Sequence, residues 1–264
     1  FYFINILYIL MSEEKFKKKY IKYKSKYIKI KNQIGGDISF TNNRKKLIEN
    51  LKRSSRWTYD HSERVSWLCS IISREYKNDN KFIKLATEGG LFHDVGKECV
   101  NKDILNSTVS KFDKSFSKEH QDKIEKEMGK HPECTKKILE KYYYKNEYVC
   151  DNNLCNKKLP TICGDHHEKL DGSGYPSNKQ NNNKNNICDQ ICIITQIITV
   201  CDIYDAIRSS RPYEPSNDHK STIEIMKKMG NKINQDIVLL LEKTYIPELW
   251  IYNYDKKLSL IEHT

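Results

Sequence analysis

The 264-residue sequence has no apolar run long enough to cross a bilayer, no alternating run from Asn43 onward long enough to suggest a sheet, no internal repeat and no regular cysteine spacing. Each absence excludes something. The opening "FYFINILYIL" is apolar for only ten residues, and it lacks the positive flank and small-residue cleavage site of a signal peptide. Met11 is the expected start, and an intracellular chain without a transmembrane segment is the expectation. Nine cysteines are an odd number, and with no secretory leader they read as reduced thiols rather than a disulfide framework. Cys150, Cys155 and Cys163 lack the paired spacing of a zinc knuckle. Without alternation there is no sheet to expect, so the reading is all-α.

Basic charge is present, but it is concentrated. Met11 to Ile34 carries nine lysines and two acids, leaving about +4 of the total +11 for the rest of the chain. Phe16, Tyr20, Tyr23, Tyr27, Ile30 and Ile34 lie alternately four and three apart, one seam of a helix with lysines over the remainder. Such a tail suits a protein partner, nucleic acid, an anionic membrane, or a merely solubilising arm. "QIGGDISF" breaks the periodicity, with a linker expected near Asn32 to Phe40. The division is therefore a basic helical tail over 1–36 and a catalytic-type domain over 37–264.

From Asn43 the apolar spacing is helical through "KKLIENLKR", "HSERVSWLCSIISREY", "KFIKLATEGGLFHDVGK", "KEMGKHPECTKKILEKYYY", "QICIITQIITVCDIYDAIRSS", "TIEIMKKM" and "QDIVLLLEKTY". Ile191 to Val200 has a buried strand as its rival reading, which the continuation into "CDIYDAI" argues against. "SNKQNNNKNN" can bury nothing and reads as a surface loop.

Taken singly, a histidine is more often a surface or core residue than a ligand. "GGLFHDVGK" is different, because His93 and Asp94 are neighbours, glycines precede them, and Lys97 follows at helical spacing from both. Adjacent helical residues point about 100° apart, which is awkward for one ion but natural if the carboxylate bridges two. His166 and His167 repeat the pattern. Two ions roughly 3.5 to 4 Å apart share a hydroxide and offset charge on a phosphate. Mixed imidazole and carboxylate donors suit iron, manganese or zinc rather than calcium or magnesium.

"HSERV", "HDVGK", "KHPECTKKIL", "HHEKLDGSGYP" and "CDIYDAIRSSRPY" follow one another in the order and spacing of the HD-GYP phosphodiesterases, a branch of the HD superfamily of metal-dependent phosphohydrolases, which the chain resembles over about 45–245. The resemblance implies an all-α bundle and two divalent metal ions, iron or manganese first and zinc next. Its implied ligands are His61, His93, Asp94, His131, His166, His167 and Asp202, with Asp94 as bridge. Lys97 would bind a phosphate oxygen or the bridging hydroxide. Gly172, Gly174, Tyr175 and Pro176 match the loop that names the family, and Gly174, Tyr175, Pro176, Asp205 and Arg211 are the implied substrate contacts.

The sequence departs from that pattern at three places. Glu214 stands where many members carry a second cation after Arg211. Trp57 replaces the glutamate of members with a third metal, so two metals are expected. The Asn-rich insertion follows the loop directly. The implied substrate is a cyclic dinucleotide, by default cyclic di-GMP. The tail also resembles leaders on proteins of giant double-stranded DNA viruses, and with Glu214 that makes cyclic GMP-AMP the alternative. A general nucleotide phosphohydrolase and a catalytically inert binding module are the rival functions.

Overall fold

The computed structural model describes residues 38–105, 117–142, 157–179, 191–209, 217–244 and 246. The basic tail, Arg211, Glu214, Cys150, Cys155 and most of the Asn-rich insertion lie outside them. Asp37–Thr244 forms one compact unit. Its described α-helices are α1 (Ile38–Ser54), α2 (Arg56–Tyr76), α3 (Asn80–Phe92), α4 (Lys102–Leu105), α5 (Lys118–Met128), α6 (His131–Tyr142), α7 (Leu159–Gly164), α8 (Ile193–Arg208), α9 (His219–Lys228) and α10 (Gln235–Lys243). Among the described residues there is no strand, only isolated bridge residues at Lys158 and Asp171.

α2, α3 and α8 pack against one another as the centre of the bundle. α2 starts where Ser55 accepts a hydrogen bond from the Thr58 amide, and α3 where Asp79 accepts one from Phe82, each satisfying an amide the helix start leaves open. α2 buries residues on every side, from Tyr59 and Val65 to Trp67 and Ile72. Ile194, Ile197, Ile198 and Cys201 of α8 meet that core with no exposed surface. Burying an aliphatic side chain of this size stabilises by about 1.5–3 kcal/mol. The segment open to a strand reading is thus a helix, held by burial on both flanks.

Close approach explains the paired glycines. A Cβ on Gly90 would lie 2.9 Å from Ser66 Cα, and one on Gly89 would lie 2.6 Å from Ile198 Cδ1. α3 can therefore press its last turn against both α2 and α8, delivering the residues that follow it to their interface.

The structure corrects four expectations. α1 starts at Ile38, inside the expected linker, although Ser39, Thr41 and Asn42 are weak helix formers; local propensity does not decide this end. The helix before His93 does not run on to Lys97: α3 stops at Phe92, and a 3-10 turn covers Val95–Cys99. The "KEMGKHPEC" helix is two helices. Gly129 caps α5, and Pro132, which has no amide hydrogen, suits the first turn of α6. Finally, Cys99 and Cys134 form a disulfide with Cα atoms 6.5 Å apart, where reduced thiols were expected. Their residues meet because the 3-10 turn packs on α6. Cys69, Cys163 and Cys201 are buried and free. No helix among the described residues is long and apolar enough to cross a membrane.

Candidate metal centre

Three helix ends and two helix faces deliver seven side chains to one buried place. His61 comes from the middle of α2, and Asp202 from α8. His93 caps the C-terminus of α3, with Asp94 next to it. His131 opens α6, while His166 and His167 follow α7.

Three of the histidines are held by the same local device. His93 Nδ1 donates to the carbonyl of Gly90 at 2.9 Å, His131 Nδ1 to that of Met128 at 2.5 Å, and His166 Nδ1 to that of Cys163 at 2.6 Å. Each acceptor lies three residues back in the last turn of a helix, where carbonyls lack intrahelical partners. A carbonyl only accepts, so Nδ1 carries the proton and Nε2 of the neutral ring keeps its lone pair. His61 is held from outside instead: its Nδ1 lies 2.8 Å from Asp205 Oδ2. This is the usual support of a metal-binding imidazole, whose second nitrogen is fixed by an acceptor.

The Nε2 atoms converge. His131 Nε2 lies 3.3 Å from His166 Nε2 and 3.1 Å from His167 Nε2. The Nε2 of His93 is fully buried with no hydrogen-bond partner. Lone pairs gathered this closely, with one buried donor atom unpaired, are unfavourable unless a cation sits among them. Asp94 divides its two oxygens between the sets. Oδ2 is 3.6 Å from His61 Nε2 and 3.4 Å from His93 Nε2; Oδ1 is 3.3 Å from His131 Nε2 and 3.8 Å from His166 Nε2. Asp202 Oδ1 joins the first set, 3.0 Å from His61 Nε2 and 3.7 Å from His93 Nε2. The groups that could hold an ion are His61, His93 and Asp94; His93, His166 and Asp202; and His131, His166 and His167.

Electrostatics separates the rings. Burial pushes His131 down to about 4 and His166 down to about 3, and it holds His167 well below its ordinary value. All three are neutral donors near pH 7. Burial also works against charge on His93, but Asp94 and Asp202 outweigh it and raise it to about 10. Burial would raise Asp94, yet Lys97 and then His93 hold its carboxyl well below the usual range. Lys97 Nζ sits 2.5 Å from Asp94 Oδ2, so the lysine reaches the carboxylate across the helix break.

The loop after His167 closes over this cluster. A Cβ on Gly174 would lie 2.3 Å from the Lys169 amide nitrogen and 2.5 Å from the His167 carbonyl oxygen. The next ring, Tyr175, stacks on His167 with centroids 4.7 Å apart. Burial, then Asp94 and Asp202, push the Tyr175 phenol up, so it remains a donor. Pro176 is exposed beside it.

Asp205 differs from the expectation. It is buried, and Arg64 takes both its oxygens, at 2.8 and 3.0 Å, while Ser209 Oγ donates to Oδ2 at 3.1 Å. With His61 on the same oxygen, Oδ2 has three partners and Oδ1 one. The carboxylate's hydrogen bonds go to His61, Arg64 and Ser209.

Arg64 was missed, although it lies three residues after His61 on one face of α2. Glu168 was missed too: its Oε1 accepts from the Ser177 amide at 2.7 Å and its Oε2 from the Lys179 amide at 2.9 Å, tying down the loop. Its place immediately after the paired histidines was the available signal.

A model of the HD domain matches residues 45–237. The chain belongs to the HD-domain family, in its HD-GYP branch. A cyclic di-GMP phosphodiesterase of Pseudomonas aeruginosa is 30% identical over 62% of this chain and 33% of the relative. A 3'3'-cGAMP-specific phosphodiesterase of Vibrio cholerae is 30% identical over 66% of the chain and 32% of the relative. A cyclic di-GMP phosphodiesterase of Thermotoga maritima is 27% identical over 70% and 45%. This HD-GYP chain thus matches about a third of the length of the first two and under half of the third.

Proposed function

We propose that this HD-GYP chain is a metal-dependent phosphodiesterase that opens a cyclic purine dinucleotide, cyclic di-GMP or 3'3'-cyclic GMP-AMP. The observation that carries the reading is Asp94, whose Oδ2 faces His61 and His93 while its Oδ1 faces His131 and His166. One carboxylate shared between two donor sets suits two divalent ions, iron or manganese first and zinc next. His61, His93, Asp94 and Asp202 would hold one; Asp94, His131, His166 and His167 would hold the other. Two such ions supply Lewis acidity at a phosphate and a water made acidic enough to attack it.

The chain's own groups do the rest. Lys97 presents its ammonium beside Asp94, where it can meet a nonbridging phosphate oxygen and stabilise charge as it develops. Tyr175 offers a protonated hydroxyl and an open ring from the loop that Glu168 fastens. Arg211, outside the described residues, is the implied second cation for the phosphate.

The test is anaerobic purification with metal analysis, then product analysis with cyclic di-GMP and cyclic GMP-AMP side by side, using Asp94→Ala as control. Two metals per chain and cleavage that depends on Asp94 support the reading. Two metals with hydrolysis of mononucleotides in preference to cyclic dinucleotides would replace it with a general nucleotide phosphohydrolase.

A further inference from the structure

Trp57 is in the first turn of α2, one turn before His61. Its ring lies parallel to the His61 imidazole, with centroids 5.5 Å apart and 5° between the planes. A large apolar ring so close to a buried centre would ordinarily be covered, yet Trp57 is 45% exposed. From it a series of rings runs through the cluster: His61 to His93 at 5.2 Å, His93 to His166 at 5.0 Å, His166 to His167 at 4.0 Å, and His167 to Tyr175 at 4.7 Å. The two ends, Trp57 and Tyr175, are its exposed rings, and the histidines between them carry the donor atoms.

Lys97 ties Trp57 to a second feature. Its Nζ lies 5.8 Å from the indole centroid as well as 2.5 Å from Asp94. It also lines a cavity of about 220 Å³ with Asn50, Arg53, Ser54, Glu98 and Lys102. Arg53, Lys97 and Lys102 bring positive charge to its wall beside Glu98, although Arg53 also lies 3.6 Å from Glu49 and Lys97 is paired with Asp94. The volume falls below the roughly 300 Å³ at which sites for whole drug-sized ligands begin, so it suits a sugar and phosphate without the base.

We propose that Trp57 is the stacking platform for one purine of the dinucleotide, with the cation-lined cavity at Lys97 receiving the sugar and phosphate attached to that base. The proposal rests on the phosphodiesterase reading for its substrate. An indole takes any purine face, so this subsite supplies affinity and holds the scissile phosphate in register, while base identity is read elsewhere. It gives Trp57 a role that a glutamate at the same position could not fill.

The experiment compares the metal-loaded parent chain with Trp57→Ala and Trp57→Phe. KM is measured on cyclic di-GMP and on methyl p-nitrophenyl phosphate, a diester with no nucleobase, and metal content is measured in each variant. Loss of base stacking should raise the KM of Trp57→Ala for cyclic di-GMP roughly five- to 150-fold. The small diester should shift by several-fold less, and Trp57→Phe should recover much of the loss. Equal losses on both substrates, in step with lost metal, would overturn the proposal and leave Trp57 as a brace for His61.

A binding arm is independent of turnover. GMP should quench the fluorescence of the parent but leave that of Trp57→Phe unchanged. Quenching that needs Trp57 in a chain that cleaves no cyclic dinucleotide would keep the platform and remove the phosphodiesterase. Cleavage without such quenching would do the reverse.

Discussion

Asp205 Oδ2 lies 2.8 Å from Nδ1 of His61, and the Arg64 guanidinium holds the same carboxylate from the other side. Burial opposes charge on His61, but hydrogen bonds to Asp202 and Asp205 outweigh it and raise its pKa. Asp205 therefore fixes both the orientation and the basicity of a ring whose Nε2 faces the centre.

Asp205→Ala should lose both metal affinity and stability. Removing an acceptor behind a metal-binding imidazole typically lowers affinity 10- to 100-fold. The variant also leaves the buried Arg64 charge without its main partner, a loss on the order of 3–5 kcal/mol. Metal titration and thermal unfolding check both, and unchanged metal affinity would refute the bracing role. Asp205→Asn, which can still accept at one oxygen, should fall between.

Lys97→Met should separate binding from chemistry. The methionine keeps most of the volume but removes the ammonium from Asp94. Metal content should persist, since the donor set is intact, while kcat on a cyclic dinucleotide falls about 10²- to 10³-fold, the usual loss for one charge-stabilising donor. A variant that loses metal in proportion to activity would mark Lys97 as a partner of Asp94 alone.

Metal uptake by the metal-free chain should strengthen as pH rises. His93 stands at about 10 without a cation, because Asp94 and Asp202 outweigh its burial, so near neutrality it is protonated. A cation binds the neutral imidazole and must displace that proton. Affinity should therefore increase with pH up to about 10, with proton release on binding. Calorimetry in buffers of different ionisation heat measures it, and an affinity independent of pH would contradict the assignment of His93.

Gly96→Ala tests how the HD turn seats α6. A Cβ there would lie 2.1 Å from the His131 carbonyl oxygen and 2.3 Å from the Thr135 amide nitrogen. The Gly96 amide also donates to Thr135 Oγ1, which in turn donates to the His93 carbonyl. Separating these backbones should cost about 1–3 kcal/mol or more and shift His131 away from Asp94. Thermal unfolding with metal analysis would show both; a variant of parental stability and full metal content would contradict the geometry.

Much of this was legible in the sequence. Helical period marked α9 and α10, because a helix that buries one face repeats its apolar residues every three or four positions. Neighbouring donors in "HD" and "HH" marked the segments whose side chains the structure brings together. Helix boundaries were less legible. The break at His93 depends on α3 ending against α2 and α8, and the break at Gly129 on the two helices it joins packing differently.

Asp205 shows where sequence reasoning stops. It is three residues from Asp202, and helical spacing alone gives the two carboxylates one face and one task. Arg64, 141 positions away, and His61 give Asp205 another.

The sequence by itself determined that the chain is helical and which donor types it carries, since both follow from residue identity and short-range spacing. The tertiary structure decided which oxygen of Asp94 faces which histidines, that Asp205 meets His61 and Arg64, and that Trp57 stands open beside His61. Those relations exist only when segments distant in the chain are brought within a few ångströms by packing.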